Sequence, residues 1–229
     1  MITRLTMPKL TPNLNFIAKS EGGYNPCIPR PSGSSKSAYP YRNCVFYAWA
    51  RMAETWLAAM PSCNAEAYYH YAVKNGWIRS RLPIRGSCIV WSKGSADSGS
   101  DGAGHIAVVE DINANGSIIT SESGWSAAKP WWTTTRKAGG RWGQPAGYSF
   151  LCFFLPFSPL SVGSTGTPVS EMQQSLVSAG YLRAGEVDGD FGKITLGALC
   201  AYQLQHDLTV DGVCGTETAQ RLWGGAQSG

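Results

Sequence analysis

The sequence has no apolar run that could cross a membrane, although it is 229 residues long. A spanning helix needs about 18 to 20 consecutive apolar residues. The N-terminal residues also lack the apolar core and the cleavage site of a signal peptide. We therefore expect synthesis in a cytosol, no membrane insertion and no export by the standard secretory route.

The sequence also lacks a large excess of either positive or negative charge. Lysine and arginine number 19 against 15 aspartate and glutamate, which leaves a net charge of +4. This mild excess favours an anionic partner such as a cell surface, but it equally fits ordinary variation and does not indicate nucleic-acid binding. Because 43% of the residues are hydrophobic, the chain can bury a core, and we expect a monomer of one large or two modest domains.

Cysteine motifs typical of metal sites are absent. The seven cysteines include no C-x-x-C pair and come with no matching histidine pair, which argues against a zinc site. Thiols in a cytosol stay reduced. Cys88 and Cys152 lie inside apolar runs, where a small buried side chain is the simplest interpretation.

Composition divides the chain in two. Residues 156–168 are rich in proline, glycine, serine and threonine, and they separate a strongly apolar run from a helical pattern. Such a segment is typical of an interdomain linker. We predict domains over residues 1–156 and 169–229, joined by a linker over residues 157–168.

In the first domain, helical patterns precede strand patterns. Helices are predicted over residues 43–59 and 64–75. Short apolar runs predict strands, and Asn115-Gly116 predicts a hairpin between two of them. The runs cover residues 88–91, 105–110, 117–120 and 148–155. Helices followed by an antiparallel sheet form an α+β domain.

The second domain contains an internal repeat. Residues 187–195 return at 210–218 with five of nine positions identical. Each copy is an Asp-Gly turn followed by a second glycine and a threonine. Helical patterns over residues 170–179 and 194–206 precede the two copies, so the repeat predicts a small helical bundle with two equivalent loops.

A cysteine at a helix start is the candidate nucleophile. Cys44 begins the first predicted helix, where unpaired N–H groups and the positive end of the helix dipole stabilise a thiolate. The same N–H groups, with the side-chain amide of Asn43 as a second donor, are placed to face a developing oxyanion.

The candidate base is His105, one of three histidines. It begins a predicted strand, whereas His70 lies among tyrosines inside a helix and His206 ends a helix of the second domain. Glu122 ends the neighbouring strand across the hairpin, so it is the candidate for orienting the imidazole. Glu110 is the rival, but it lies on the opposite face of the strand and about 17 Å along it.

These residues belong to four short motifs in a fixed order. They are Asn43-Cys44-x-x-Tyr47-Ala48-x-x-Arg51, Arg85-Gly86-x-x-Ile89-Val90-Trp91, residues 104–110, and Ser121-Glu122-x-x-Trp125. The set resembles the CHAP domain, the cysteine, histidine-dependent amidohydrolase/peptidase family, over residues 14–156. The resemblance implies a papain-like fold, the peptide part of peptidoglycan as substrate, and catalytic roles for Cys44, His105 and Glu122. Residues 25–28 also resemble CHAP endolysins of phages that infect Gram-positive hosts.

The chain departs from the family pattern at two positions. Many members carry glutamine before the nucleophile, where this chain has Asn43, and asparagine two residues after the acid, where it has Gly124. Some members bind calcium near the nucleophile. Residues 25–42 contain no carboxylate, and residues 97–108 lack the closing glutamate of a calcium loop. We therefore expect no metal and no other cofactor.

The repeat-containing segment, residues 169–224, resembles the three-helix peptidoglycan-binding domain type 1. The residues that carry the resemblance are Met172, Gln173, Leu176, Gly180, Tyr181, both Asp-Gly-x-x-Gly loops, Gln203, Leu222 and Trp223. The resemblance implies anchoring to the cell wall without catalysis, and it places Cys200 and Cys214 in the core of the bundle.

Together these features predict a phage endolysin, with an α+β catalytic domain followed by an all-α three-helix domain. Cys44 would cleave an amide bond of Gram-positive peptidoglycan through a thioester, after a holin opens the host membrane. Trp125 and Trp131 are candidates for lining the substrate groove, although packing explains them equally well. The alternatives are a bacterial autolysin, a wall-binding protein without catalysis and a papain-like acyltransferase. Amidase and endopeptidase activities both fit.

Overall fold

The computed structural model describes residues 43–56, 60, 61, 63–93, 103–124, 131–143 and 147–224. Its helices are α1 (Cys44–Trp56), α2 (Ala67–Lys74), α3 (Thr167–Ser178), α4 (Lys193–Gln205) and α5 (Thr216–Trp223), with a 3-10 turn at Ala184–Glu186. Its strands are β1 (Ile78–Ser80), β2 (Cys88–Lys93), β3 (His105–Ile112), β4 (Ile118–Glu122), β5 (Trp132–Arg136) and β6 (Tyr148–Leu155). None of the helices in these ranges is long and apolar enough to cross a membrane.

The six strands form one antiparallel sheet in the order β1-β6-β2-β3-β4-β5. Side chains alternate between its faces. On one face, Val90 and Val108 pack in a cluster with Ala48 of α1. On the other face, Trp91 and Val109 pack in a second cluster. The central strands are therefore apolar on both sides, and the α+β class predicted from the sequence is confirmed.

The helix that carries the candidate nucleophile is held by its apolar side. Val45, Ala48 and Met52 recur at helical spacing, and all three are buried. The prediction extended this helix to residue 59; α1 ends at Trp56, and residues 57–59 lie outside the described residues.

The second helix is shorter than predicted. It begins at Ala67 rather than at residue 64, because residues 64–66 form a turn in which the Ala67 amide binds the Asn64 carbonyl at 3.1 Å. It ends at Lys74, just before Gly76, whose φ of +62° belongs to the left-handed region that favours glycine.

All four predicted strands are present, and two further strands were missed. The predicted hairpin joins β3 and β4, with Gly116 at a φ of +78°. The missed strands are β1, with three residues, and β5, whose threonines show no apolar alternation. Both lie at edges of the sheet, where pairing with a neighbouring strand compensates for a weak local pattern.

The second domain consists of α3, α4 and α5, as predicted, and its two repeat loops are built alike. In the first loop, the buried amide oxygen of Gln173 accepts from the Gly189 N–H at 2.9 Å. In the second loop, Gln203 accepts from the Gly212 N–H at 3.0 Å. A buried glutamine thus binds the backbone of each Asp-Gly turn and satisfies groups that water cannot reach.

The segment predicted to be a linker is packed against both domains. Phe157 lies between Trp56 of α1 and Trp223 of α5, with ring centroids 5.1 and 6.4 Å away. Further along, Leu160 is buried and exchanges two backbone hydrogen bonds with Cys214, at 3.2 and 2.8 Å. The two domains therefore share a continuous apolar cluster.

Candidate active site

Cys44 is the first residue of α1, and Asn43 caps the helix. The Asn43 Oδ1 accepts hydrogen bonds from the amides of Val45 at 2.8 Å and Phe46 at 3.3 Å. Its carbonyl oxygen accepts from the Tyr47 amide at 3.1 Å. Asparagine is a preferred N-cap because its short side chain reaches these amides. Within the described part of the chain, the Cys44 N–H is then the helix-start amide with no recorded acceptor.

His105 begins β3 and is fixed from two sides. It lies directly opposite Trp91 of β2, and the two rings stack with centroids 5.7 Å apart. Its Nε2 is 2.6 Å from the Oε2 of Glu122. The Cys44 thiol acts on the same imidazole and raises its pKa. The structure therefore brings the three predicted residues together, with His105 between Cys44 and Glu122.

The position before His105 requires a glycine for steric reasons. Gly104 has a φ of +64°, which L side chains rarely adopt, and a Cβ there would lie 2.5 Å from the carbonyl oxygen of Trp91. A larger residue would push the start of β3 away from β2. Gly104 thus allows His105 to pair with Trp91 at the end of the strand.

Glu122 ends β4 and is almost fully buried, with 3% of its surface exposed. Both of its oxygens accept from the Nη2 of Arg136, at 2.7 and 2.9 Å. The Thr120 hydroxyl lies 3.2 Å from its Oε1. Neither Arg136 nor Thr120 was predicted as a site residue, because neither belongs to the four motifs and the β5 sequence shows no strand pattern.

The charges of the site reinforce one another. Burial by itself lowers the pKa of His105, but the hydrogen bonds to Cys44 and Glu122 outweigh it and raise that pKa to about 9. Burial by itself raises the pKa of Glu122, but the hydrogen bond to His105 and the charge of Arg136 lower it to about 2. Near neutral pH the site therefore holds an imidazolium between a carboxylate and the Cys44 sulfur.

Two known protein families match separate parts of this chain. Residues 34–124, which include Cys44, His105 and Glu122, match the family "CHAP domain". Residues 165–222 match the family "Putative peptidoglycan binding domain". The chain joins a CHAP domain to a peptidoglycan-binding domain. The architecture predicted from the motifs is thereby confirmed.

Individual relatives share only part of their length with this chain. The N-acetylmuramoyl-L-alanine amidase CwlM of Mycobacterium tuberculosis is 41% identical over 58 residues, which are 25% of this chain and 14% of that protein. The staphylococcal secretory antigen ssaA2 of Staphylococcus aureus is 30% identical over 122 residues, 52% of this chain and 40% of that protein. A solved structure of an N-acetylmuramoyl-L-alanine amidase from Staphylococcus aureus aligns with a TM-score of 0.39 and 20% identity, covering 66% of this chain and 42% of that one.

Glu110, the rival acid, has a different role in the CHAP domain. It is buried on the face of β3 that meets α1, and its two oxygens accept from the Nε and Nη2 of Arg51, each at 2.9 Å. The Ser121 hydroxyl donates to the same carboxylate at 2.5 Å. Glu110 therefore ties α1 to the sheet, and among the described residues it has no hydrogen bond to His105.

Burial raises the pKa of four other thiols of the described chain, whereas Cys200 of α4 is half-buried. Burial raises the pKa of Cys63 to about 11, and that of Cys152 and Cys214 to about 12. Cys88 is fully buried, and burial raises its pKa well above the ordinary value. Cys27 lies outside the described residues.

The remaining candidate residues are placed as follows. Trp131 is half-buried and stacks on Tyr47 of α1 with ring centroids 6.4 Å apart, so at least one of its faces is used in packing. Trp125 lies outside the described residues, as does the segment 97–102 that was considered as a calcium loop. Among the described residues, no group of three His, Cys, Asp or Glu side chains is placed to hold a metal ion.

Proposed function

We propose that this protein hydrolyses an amide bond in the peptide part of bacterial peptidoglycan, with Cys44 as nucleophile. The observation that carries the proposal is the placement of His105 between the Cys44 thiol, which acts on its imidazole, and Glu122, whose Oε2 lies 2.6 Å from its Nε2. A nucleophile, a base and a group that orients the base form the arrangement used for acyl transfer through a covalent intermediate. The neighbouring peptidoglycan-binding domain supports peptidoglycan as the substrate.

The reaction proceeds in two steps. In the first, the Cys44 sulfur attacks the amide carbon; a C–S bond forms, the C–N bond breaks, and the His105 imidazolium gives its proton to the leaving amine. In the second, His105 takes a proton from water, whose oxygen attacks the thioester; the C–S bond breaks, a carboxylic acid leaves, and Cys44 is released as a thiolate beside the His105 imidazolium. Glu122 holds the imidazole in one orientation throughout. The Cys44 N–H at the helix start, which has no acceptor among the described residues, is the donor placed for the oxyanion.

The decisive experiment compares two cysteine substitutions in the full chain. Cys44→Ala is expected to abolish clearing of a peptidoglycan suspension while co-sedimentation with the wall persists. Cys63→Ala is the matched control, because this thiol is also half-buried but its pKa is set by burial and Tyr68 and not by His105, and it should retain activity. Full activity of Cys44→Ala would overturn the proposal. Loss of wall binding in the same variant would point to misfolding instead.

Mass spectrometry of the released fragments identifies the bond. An N-acetylmuramoyl-L-alanine amidase frees stem peptides with an alanine N-terminus and leaves the glycan without them. An endopeptidase leaves part of each peptide on the glycan. Transfer of the acyl group to an added amine, rather than to water, would indicate an acyltransferase.

We also propose that the enzyme is a phage endolysin that reaches the wall after a holin opens the host membrane. The support is its architecture, a catalytic domain joined to a wall-binding domain. Cytoplasmic expression in a susceptible host should cause lysis only when a holin is co-expressed. Lysis without the holin would favour an autolysin that reaches the wall by another route.

A further inference from the structure

Arg136 reaches the site from a strand that contributes none of the three predicted residues. In the β4–β5 pair, Ile118 lies opposite Arg136 and Glu122 lies opposite Trp132. Because side chains alternate along a strand, Ile118, Thr120 and Glu122 share one face of β4, and Arg136 shares it with them. The arginine side chain extends along this face to reach the carboxylate.

The guanidinium of Arg136 is held by several partners at once. Its Nη2 donates to both oxygens of Glu122, its Nε donates to the Thr120 hydroxyl at 3.1 Å, and its Nη1 donates to the carbonyl of Gly143 at 2.9 Å. Its plane lies over the ring of Trp91, 4.5 Å from the centroid. Trp91 in turn stacks on His105. The arginine therefore contacts one member of the catalytic chain directly and supports the ring that packs against another.

We propose that Arg136 is a positioning residue of this site, which holds the Glu122 carboxylate ionised and in the orientation from which it binds His105. The inference rests on the proposed function, in which Glu122 orients the base. Arg136 touches neither the thiol nor the imidazole nitrogen, so it acts through Glu122.

The physical need for such a residue follows from burial. A carboxylate removed from water is costly unless it is paired and hydrogen-bonded. His105 binds one oxygen of Glu122, which leaves the carboxylate free to rotate about that contact. The Nη2 of Arg136 donates to both oxygens, and the guanidinium is itself held through Nε by Thr120 and through Nη1 by Gly143, so this rotation is fixed. Gly124, two residues after the acid, offers no side chain for this purpose.

Few other charges bear on this pair. Among the described residues, the charged or titratable groups that act on Glu122 are His105 on β3 and Arg136 on β5. Cys44 on α1 acts on the pair through His105. Removal of Arg136 therefore leaves the buried carboxylate with the imidazolium as its single described cationic partner.

The test measures the reactivity of Cys44 towards iodoacetamide as a function of pH in the full chain. Trypsin releases residues 43–51 as a peptide that contains Cys44 and no other cysteine, so mass spectrometry follows this thiol alone. In Arg136→Gln, Glu122 should take up a proton at higher pH, and the acid limb of the alkylation profile should move up by about one pH unit or more. Peptidoglycan hydrolysis should fall by about 10- to 100-fold, the range seen when partners that orient site residues are removed.

Two further variants separate positioning from general stability. Arg136→Lys keeps the charge but loses the Nε and Nη1 bonds to Thr120 and Gly143 that fix the direction of approach, so the acid limb should stay near that of the wild type while hydrolysis is only partly restored. Arg85→Gln is the matched control, because Arg85 is also buried and binds a carboxylate, that of Asp111, through Nε at 3.1 Å and Nη2 at 2.8 Å. It should lower the melting temperature without moving the acid limb.

The outcomes are distinct from those of the Cys44 experiment. If Arg136→Gln lowers the melting temperature but leaves the acid limb in place, as Arg85→Gln should, Arg136 is only structural and the inference is overturned. If Arg136→Lys moves the limb as far as Arg136→Gln does, charge is not what holds Glu122 ionised, and the inference also fails. The alkylation assay uses no peptidoglycan, so it tests Arg136 even if the proposed substrate is wrong.

Discussion

Trp223, at the end of the last helix, lies edge-on against Trp56, with ring centroids 5.5 Å apart and an interplanar angle of 70°. Trp56 ends α1, the helix that starts at Cys44, so the second domain packs against the far end of that helix. Both indoles are buried, and the backbone carbonyl of Trp223 accepts from the Arg85 amide at 3.1 Å. The side chains of Gln220 and Ser80 add a hydrogen bond between the domains.

This contact predicts that the two domains unfold together. Trp223→Ala should lower the free energy of unfolding by about 3–5 kcal/mol, the usual cost of truncating a buried tryptophan. Differential scanning calorimetry should show one transition for the wild type and a lower, broader or split transition for the variant. Leu204→Ala is the control, since Leu204 is 70% exposed in the same domain, and it should change stability by less than about 0.5 kcal/mol. A wild-type transition in Trp223→Ala would mean that the domains do not pack together in solution.

The raised pKa of His105 and the lowered pKa of Glu122 predict a window of maximum stability. The His105 pKa rises from 6.5 to about 9, so its contribution is complete below pH 6.5 and is lost as the pH rises through 9. The Glu122 pKa falls from 4.5 to about 2, so its contribution is complete above pH 4.5 and is lost as the pH falls through 2. The contribution of these two groups to the melting temperature should therefore be highest between pH 4.5 and 6.5.

A single substitution isolates the alkaline side of that window. In His105→Gln the loss of stability above pH 6.5 should be reduced, because no imidazolium remains to be deprotonated. The acid-side loss should persist, since Glu122 still binds Arg136. An unchanged alkaline decline in His105→Gln would show that other groups cause it.

The parts of the site that the sequence predicted are those with a strong local pattern. Cys44 follows a capping residue and opens an amphipathic helix, and His105 follows a glycine that the strand start requires. Glu122 could be predicted as the partner of His105 once the hairpin was recognised, because strand pairing then places the end of β4 beside the start of β3. Each of these signals is contained in a few neighbouring residues.

Arg136 could not be predicted in the same way. Its strand has the sequence Trp-Thr-Thr-Thr-Arg and shows no apolar alternation, so nothing local indicates a strand. Its contact with Glu122 arises from the register between β4 and β5, a tertiary property. The packing of residues 157–168 was missed for a related reason: composition indicates a linker, but it does not show that Phe157 and Leu160 find apolar partners.

The buried glutamines of the wall-binding domain give a matched pair of variants. The Gln173 amide donates to Asp188 Oδ1 at 2.7 Å and accepts from the Gly189 N–H at 2.9 Å, whereas its neighbour Gln174 is exposed. Gln173→Ala leaves buried backbone groups unpaired and should cost about 1–3 kcal/mol. Gln174→Ala should be neutral.

Binding to cell walls should be weakened by Gln173→Ala and unaffected by Gln174→Ala, as expected for stability. We expect Gln173→Ala to weaken co-sedimentation with purified walls and to leave the alkylation rate of Cys44 unchanged, because the first repeat loop is remote from the catalytic chain. Gln203→Ala should behave alike, since Gln203 binds the second loop in the same way. A large loss in one variant and none in the other would show that the two loops are not equivalent.

The ion pair between Glu110 and Arg51 is expected to stabilise the fold without tuning the chemistry. Both side chains are buried, and the pair joins β3 to α1. Glu110→Gln leaves Arg51 with Glu54 as its remaining carboxylate, 2.6 Å away, and should cost about 3 kcal/mol. The double variant Arg51→Met, Glu110→Leu removes the buried pair and leaves the more exposed Glu54, so it should recover part of that loss, because apolar replacements of a buried pair are often neutral. Urea unfolding measures both effects, and the pH profile of Cys44 alkylation in Glu110→Gln should keep the wild-type acid limb. A shifted limb would mean that Glu110 acts on His105 after all.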